Sequence, residues 1–600
     1  MATIVTRLGK GSPLTTAELD ANLTNINAET VDNSGVFNLR PSLDIDLVGS
    51  KTVSPLLNFS RGSTGTYYDG KTVAKAEENL FFYSQDFTQA YWKAYSAVTA
   101  TGNAISAPDG SLTATQIAAY ATGTGNGAFE NTIGAPIGST ISVYAKAGNV
   151  NYLAIGSANL NAWAYFNLNT GTVGSTNACT ASIVSVGNGW YRCIMANITS
   201  AMTRVLFAMK STDVAADPWG AGSVTIGDYI YIWGAQLEQR SSVTAYTPTT
   251  SAPITNYIPQ LLTAPTNTPR FDHDPVTGEL KGLMVEESRT NLITNSGSFT
   301  SGWSTQGIST IAASSCISPS GELSGTKILE DSGSSRHHIQ CSVSATFPAT
   351  LSIFAKAAER TKLLVGDGQA GAAAIFDLIG SGSIFSQNSN YLPITITNVG
   401  NGWYRCSITK PAAYVGATMW VGIADSSGQT IYQGDPTKGL YIWGVQIEPG
   451  SGMTSYIPTT TAAVTRSADQ LSISKTSNWF NSVNGTLALA HDAASGQPLL
   501  GDSSTTILSS LGAGTINIDY SNSQLSVVTQ SGQTNATQGI FNFDSDLQIL
   551  GNSTTKANAR IKYMKFYPNN VVGSTPEGSG FILDDGYAML QEDGSVLFQE

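Results

Sequence analysis

Four histidines, His273, His337, His338 and His491, are the whole supply of imidazole in this 600-residue chain, and Cys179, Cys193, Cys316, Cys341 and Cys406 are its whole supply of thiol. No HExxH or GxSxG occurs and no Gly-rich loop runs into Lys-Ser/Thr, so the local signatures of zincins, α/β-hydrolases and P-loop enzymes are missing. "GDGQAGAA" from Gly366 is a glycine cluster without a strand-to-helix context or the lysine. His337-His338 beside Asp331 could touch a metal, although adjacent histidines in a polar loop are more often solvated. The odd cysteine count and the lack of CxxC spacing speak against a disulfide framework or a zinc site and fit thiols of a cytoplasmically made protein. A glycosidase needs two carboxylates facing each other across a cleft. None of the 42 acidic residues announces itself in one dimension, and a pair made by the fold stays open. The expectation is a non-enzyme: no catalytic residue, no metal, no cofactor.

Aromatic rings are the better lead, because a sugar stacks its C–H face on an indole or phenol. Which of them are free to do so is decided by a duplication. "VGNGWYRC" occurs at 186–193 and again at 399–406; "ISVYAKA" from Ile141 matches "LSIFAKA" from Leu351, "YIYIWGAQLE" from Tyr229 matches "LYIWGVQIE" from Leu440, and "AYTPTT" from Ala245 matches "SYIPTT" from Ser455. The near-constant offset means one whole domain written twice, over 78–255 and 290–466. Trp190 with Trp403, Trp233 with Trp443 and Tyr246 with Tyr456 recur in both copies and read as framework. Trp163 faces Ala373 in the second copy, and Trp219 lies in "DPWGAG", whose counterpart "DPTKG" has no aromatic. Trp163, Tyr165 and Trp219 are therefore the candidate glycan-binding residues, with packing or loop anchoring as the competing reading.

The elements that must position these rings are strands. "ISVYAKA" and "AYFNLNTGTV" alternate, and in "YIYIWGAQLE" the period of two puts Tyr229, Tyr231, Trp233, Ala235 and Leu237 on one face and Ile230, Ile232, Gly234, Gln236 and Glu238 on the other. Gly-Asn-Gly between two such runs predicts an antiparallel hairpin. Eight or more strands per module suggest a two-sheet jelly roll. The predicted fold is thus mainly β, with tandem antiparallel jelly-roll sandwiches, a short N-terminal helix and a C-terminal β-meander.

Composition sets the outer limits. Six hundred residues imply three or four cores. With 60 Gly, only 12% charged residues and a net charge of −12, neither a phosphate backbone nor an anionic membrane is an expected partner. No apolar window is long enough to span a bilayer and the N-terminus lacks the apolar core of a signal peptide.

At the N-terminus (1–35), Thr15 and Glu18 have capping-box spacing, and Leu19, Leu23 and Ile26 follow the spacing of a coiled-coil seam. That helix either packs on its own chain or serves as an oligomer seam or virion-docking segment. Residues 36–77 read as connector strands and 256–289 as a linker. In 467–573, "NWFNSVNGTLALAHDA" and "NARIKYMKFYPNNV" resemble the first and last strands of a concanavalin-like sandwich, here a shortened one. The last segment, 574–600, holds Asp585-Gly586 and Asp593-Gly594, and its apolar residues Phe581, Leu583, Tyr587, Met589, Val596 and Phe598 need neighbouring chains to cover them.

"MATIVTRLGKGSPLTTAELDANLTNIN", "FSRGSTGTYYDG", "NTPRFDHDPVTGELKGLMVEESRTNLITNS" and the "GNGWYRC … YIWGVQIE … TSYIPTT" series resemble tailed-bacteriophage tail fibre and related virion proteins with carbohydrate-binding-module-like jelly rolls. The resemblance spans roughly residues 1 to 466. It implies a virion tail protein made in the host cytoplasm, a homotrimer that meets other tail or baseplate proteins through its N-terminal segment and a host surface glycan through its sandwiches. A glycan-depolymerising tailspike and a head or baseplate decoration fibre are the alternatives. His273 stands where the family usually has Tyr in "RFDYDP", which argues against Asp272-His273-Asp274 as a proton-transfer unit.

Overall fold

The repeated phrase is a hairpin in both places. In the computed structural model, Thr180–Gly187 pairs antiparallel with Trp190–Ala196 and Ile394–Gly400 with Trp403–Lys410. The two-residue turns place Asn188 (φ 53°) and Gly189 (φ 77°), and Asn401 (φ 48°) and Gly402 (φ 72°), in the left-handed region. A tight hairpin turn with positive φ at both central residues selects Asn-Gly. The structure describes residues 42–567 except 125–127, 132, 158–160, 219–221, 344, 346–347, 368–370, 411–417, 476–478, 481–483, 503–505, 522–523, 530–533, 539–545 and 553–554, together with 589–590 and 596–597. Among the described residues there is no α-helix. The predicted N-terminal helix, with Leu19, Leu23 and Ile26, lies outside them, as do Trp219, Phe581, Leu583, Tyr587 and Phe598. Met589 and Val596 fall in Met589–Leu590 and Val596–Leu597, which pair antiparallel on either side of Asp593-Gly594.

Each copy of the duplicated segment holds two six-stranded antiparallel sheets of the same strand order. In the first copy one sheet runs Thr180–Gly187, Trp190–Ala196, Thr140–Ala147, Tyr229–Glu238, Ala114–Ala119, Val98–Ile105; in the second it runs Ile394–Gly400, Trp403–Lys410, Ala349–Ala357, Gly439–Pro449, Leu323–Glu330, Ile308–Ile317. Val143 lies opposite Cys193 as Ile353 lies opposite Cys406, so "ISVYAKA" and "LSIFAKA" occupy equivalent central strands. The facing sheets share one core per copy, built in the first from Ile141, Val143, Leu153, Phe166 and Phe207 among others and in the second from Leu351, Ile353, Leu363, Phe376 and Val421.

Strict alternation fails at one point in each copy. Ile230, Ile232, Ala235 and Leu237 all face the core, whereas a uniform period of two puts Ala235 and Leu237 on the opposite face from Ile230. The pairing register with Thr140–Ala147 slips between Ser142 and Tyr144, where Gly234 has φ 62°, and Gly444 repeats the conformation with the same φ. A β-bulge inserts one residue and flips everything beyond it to the other face. The flip turns Gln236 and Glu238 outward, where they hold the "TAYTPTT" stretch: Thr244 donates its backbone N–H and hydroxyl to Glu238, and the Thr247 N–H reaches Gln236 Oε1 at 2.6 Å. Gln446 and Glu448 repeat this with Ile457 and Thr454. Asn79 and Asn291 each donate to two backbone carbonyls, one in the last strand of the sandwich and one in the proline-containing stretch. The recurring words are the polar knots that close each sandwich.

A third sandwich is discontinuous in sequence. Its eight-stranded sheet joins Leu43–Asp46, Phe271–His273 and Leu280–Val285 to Ala559–Tyr567, Asn484–His491 and the strands that follow; its five-stranded sheet places Leu57–Ser60 beside Gln470–Ser474. One core contains Leu43, Ile45, Leu283, Leu471, Trp479, Leu487, Ile518 and Phe566. The segments read as connector and linker therefore carry strands of this body, which is why 467–573 alone looked too short for a sandwich. Both duplicated sandwiches are insertions into it. The first enters and leaves on the paired strands Val73–Asn79 and Ile254–Pro259, the second on Arg289–Asn291 and Val464–Arg466.

Candidate functional site

Where the insertions leave the third sandwich, arginines collect. Arg61, in "FSRGST", follows Leu57–Ser60; Arg270, in "TPRF", precedes Phe271–His273; Arg466, in "VTRSAD", ends the second insertion's exit strand. All three are buried and converge on two carboxylates. Asp469 accepts from Arg61 Nη1 at 3.1 Å, Arg270 Nη2 at 2.5 Å and the Glu286 N–H at 2.9 Å. Glu286 lies 2.8 Å from Arg270 Nη1 and 3.5 Å from Arg466 Nε, and accepts the Ser455 N–H and hydroxyl at 2.7 and 2.6 Å. Burial alone would raise the Glu286 carboxyl; Arg466 and Arg270, with the Ser455 bonds, outweigh it and hold the group well below the usual carboxylate range. Three cations and two anions removed from water tie residues about 400 positions apart.

Through Glu286 this cluster reaches a cleft of about 420 Å³ between the third sandwich and the second insertion, a volume in the range of small-molecule sites. Tyr67 and Tyr68 form one wall, Asp272, His273 and Lys281 a second with Arg560, and Phe354, Val399, Arg405 and Tyr456 a third. Asp272 accepts from Arg560 Nε and Nη2 at 2.8 and 2.6 Å and from the Tyr68 N–H at 3.1 Å. His273 Nδ1 sits 2.9 Å from the Phe271 carbonyl oxygen. Asp274 accepts the Val276 and Thr277 N–H groups at 2.9 Å each, closing the hairpin turn. Asp272, His273 and Asp274 thus line one wall, each with partners of its own, and form no relay among themselves.

The aromatic residues singled out by the sequence lie elsewhere. Trp163 and Tyr165 share a strand of the first insertion, on the outer face of its second sheet, with ring centroids 5.8 Å apart and nearly perpendicular. They pack with Ala154, Leu206 and Ala208. Trp163 is 9% exposed and Tyr165 not at all; the Tyr165 hydroxyl donates to the Ala216 carbonyl at 2.9 Å, under the loop that covers this face. The framework tryptophans are buried, with Trp190 Nε1 and Trp403 Nε1 each donating to a carbonyl, of Ser106 and Ile317, at 3.1 Å.

The histidine pair sits in the strand His337–Ser342 and is fully buried, where the sequence suggested a solvated polar loop. His337 Nδ1 and Nε2 lie 2.6 and 3.2 Å from the carbonyl oxygens of Gly307 and Tyr432, and His338 packs on Trp420 at 4.6 Å. Among the described residues no three His, Cys, Asp or Glu side chains gather as a metal site would require, and the five cysteines are free thiols.

The cleft was missed because its residues come from six separated stretches. The available signal was a set of arginines, Arg61, Arg270 and Arg466, each at or beside the end of a strand where an insertion joins the third sandwich. No family model matches the chain, and no curated protein matches it either.

Proposed function

We propose that the chain is a structural subunit of a tailed-bacteriophage fibre, located in the virion tail, that presents two jelly-roll sandwiches to a glycan of the host surface. In this reading it is a homotrimer that docks on other tail or baseplate proteins through residues 1–35 and is sealed to its neighbours by 574–600. The observation that carries it is a duplicated two-sheet sandwich hung twice on a third, in a chain whose wording resembles such virion proteins.

Binding without hydrolysis is favoured by the state of the cleft's carboxylates. A glycosidase acid must hold its proton near neutral pH and therefore has a raised pKa. Glu286 is depressed by its arginines. Purified protein should compete with virions for adsorption to host cells and release no reducing ends from host polysaccharide. Immunogold labelling that marks the capsid would move the subunit to a head fibre, and a chain that neither labels virions nor blocks adsorption would refute the reading.

A further inference from the structure

We propose that the cleft between the second insertion and the third sandwich binds a carboxylate-bearing sugar, with the acid group on the Arg405 guanidinium and a ring hydroxyl toward Tyr68. The proposal rests on the glycan-binding reading above and adds the chemical class of the ligand.

Charge accounting singles out Arg405. Of the cleft's other cations, Arg560 contacts Asp272 and Asp492, and Lys281 lies 3.6 and 3.3 Å from Asp274 and Glu279. The lining acids are likewise engaged: Asp272 by Arg560, Asp274 by Lys281, and Glu286 by Arg270 and Arg466. Among the described residues Arg405 alone of the lining charges has no oppositely charged group within 4.0 Å. An unpaired guanidinium in a sheltered site is a ready partner for a carboxylate, because its planar fork matches the two oxygens.

The duplication supplies an internal control. Arg192 holds the equivalent place in the first insertion, after the same Trp-Tyr, over the Tyr144 ring at 5.4 Å as Arg405 lies over Phe354 at 5.3 Å. Arg192 has a partner on every nitrogen: Nη1 donates to the Thr244 carbonyl at 2.8 Å, and Nε and Nη2 donate to Ser142 Oγ at 3.3 and 3.0 Å. Arg405 keeps only the bond from Nη2 to Ser352 Oγ at 3.0 Å, and its Nε has no partner. The same framework arginine has been released from its carbonyl in the copy that faces the cleft.

A second polar group waits beside it. The Tyr68 hydroxyl is buried without a partner, and Tyr68 and Arg405 are close enough to influence each other's ionisation. A buried hydroxyl left unpaired costs about 1–3 kcal/mol; one sugar hydroxyl, able to donate and accept, removes the deficit. Tyr67, half-buried, supplies ring surface in the same cleft, which a pyranose needs for its C–H face.

The test uses full-length protein and saturation-transfer NMR with glucuronate, N-acetylneuraminate, glucose and the methyl ester of glucuronate, which keeps the shape and removes the charge. The acids should bind about tenfold more tightly than the ester, the value of one well-formed charged contact. The preference should vanish in Arg405→Gln, weaken in Tyr68→Phe and persist in Arg192→Gln. The acid-against-ester comparison needs no variant, so it decides the matter even where Arg405→Gln unfolds the insertion. Equal binding of acid and ester overturns the acidic class and leaves glycan binding standing, and an acid preference that survives Arg405→Gln overturns the placement of the acid group on Arg405. Absence of transfer from all four sugars overturns glycan binding at this cleft as well.

Discussion

Removing one carboxylate from the arginine cluster should damage one body of the protein and spare another. Asp469→Asn keeps the shape and takes away the charge that faces Arg61 and Arg270, whose side chains are as fully buried as Asp469 itself. Breaking a buried ion pair by removing one partner costs about 3–5 kcal/mol, because the remaining charge has lost its compensation and cannot reach water. Lys438→Ala removes a pair of similar length, 3.1 Å, whose partners are 43% and 38% exposed, and should cost under about 1 kcal/mol. The cluster ties Leu57–Ser60, Leu280–Val285 and Gln470–Ser474, so the loss falls on the third sandwich. Hydrogen exchange read peptide by peptide is the assay. Amides of Asn484–His491 and Ala559–Tyr567 should exchange on the order of 10²- to nearly 10⁴-fold faster in Asp469→Asn, since each 1.36 kcal/mol is tenfold. Amides of Thr140–Ala147, in the separate core of the first insertion, should be unchanged. Equal acceleration in both places, or none in either, would refute the assignment of the cluster as the clamp of the discontinuous sandwich.

Four further outcomes follow from the same structure. Gly234→Ala should cost the first insertion about 1–2 kcal/mol or more in thermal melts, because φ is 62° and a Cβ would stand 2.9 Å from the Tyr144 ring; Gly227→Ala, at positive φ but in open space, should cost less, and equal costs would remove the close-contact argument. Trp163→Ala and Trp190→Ala should each destabilise the same insertion by ~3–5 kcal/mol, since both are buried; a Trp163→Ala protein that melts like wild type would restore that ring as a free binding surface. Burial, opposed by Asp217, brings Lys210 down to about 8, while in the unfolded chain it titrates near ~10.4. The native state then binds fewer protons between those values, so stability rises as the pH climbs from about 8 to ~10.4 and is flat below that window; a melting profile that Lys210→Met leaves unaltered there contradicts it. Deleting 80–253 and joining the flanking strands by a two-residue Asn-Gly turn should leave the rest folded, because Asn79 already pairs with Ile254; loss of the near-ultraviolet signal of Trp479 in that protein would mean the first insertion is part of the third core.

What the sequence discloses depends on how far apart the interacting residues lie. Hairpins were legible because Asn188-Gly189 and Asn401-Gly402 carry their turn chemistry locally, and the duplication was legible because collinear words need no geometry. Alternation could be read along "YIYIWGAQLE" only as far as Trp233. Beyond it Gly234 adopts a conformation that a period-two count does not contain, and Ala235 and Leu237 change faces. The histidine pair misled for a related reason: "SSRHHIQ" is polar in composition, yet carbonyl oxygens hold His337 and the Trp420 ring packs on His338 inside a sheet. The third sandwich was hidden by distance, since Leu43 pairs with Phe566 and Leu57 with Ile473, and a window that sees twenty residues cannot see such a ladder. The cleft combines both difficulties. Its Tyr68, Asp272 and Glu286 sit in segments whose role is apparent only once those segments carry strands, and the contrast between Arg405 and Arg192 is invisible in letters because both copies read Trp-Tyr-Arg-Cys. A duplicated framework fixes the backbone and the ring beneath each guanidinium, and what distinguishes the copies is the neighbour each insertion acquires. The first has its own Thr244 carbonyl to fill Nη1; the second faces Tyr68 and the hairpin of the third sandwich. Function in such a chain is therefore to be sought where a repeated residue has lost a partner that its twin retains.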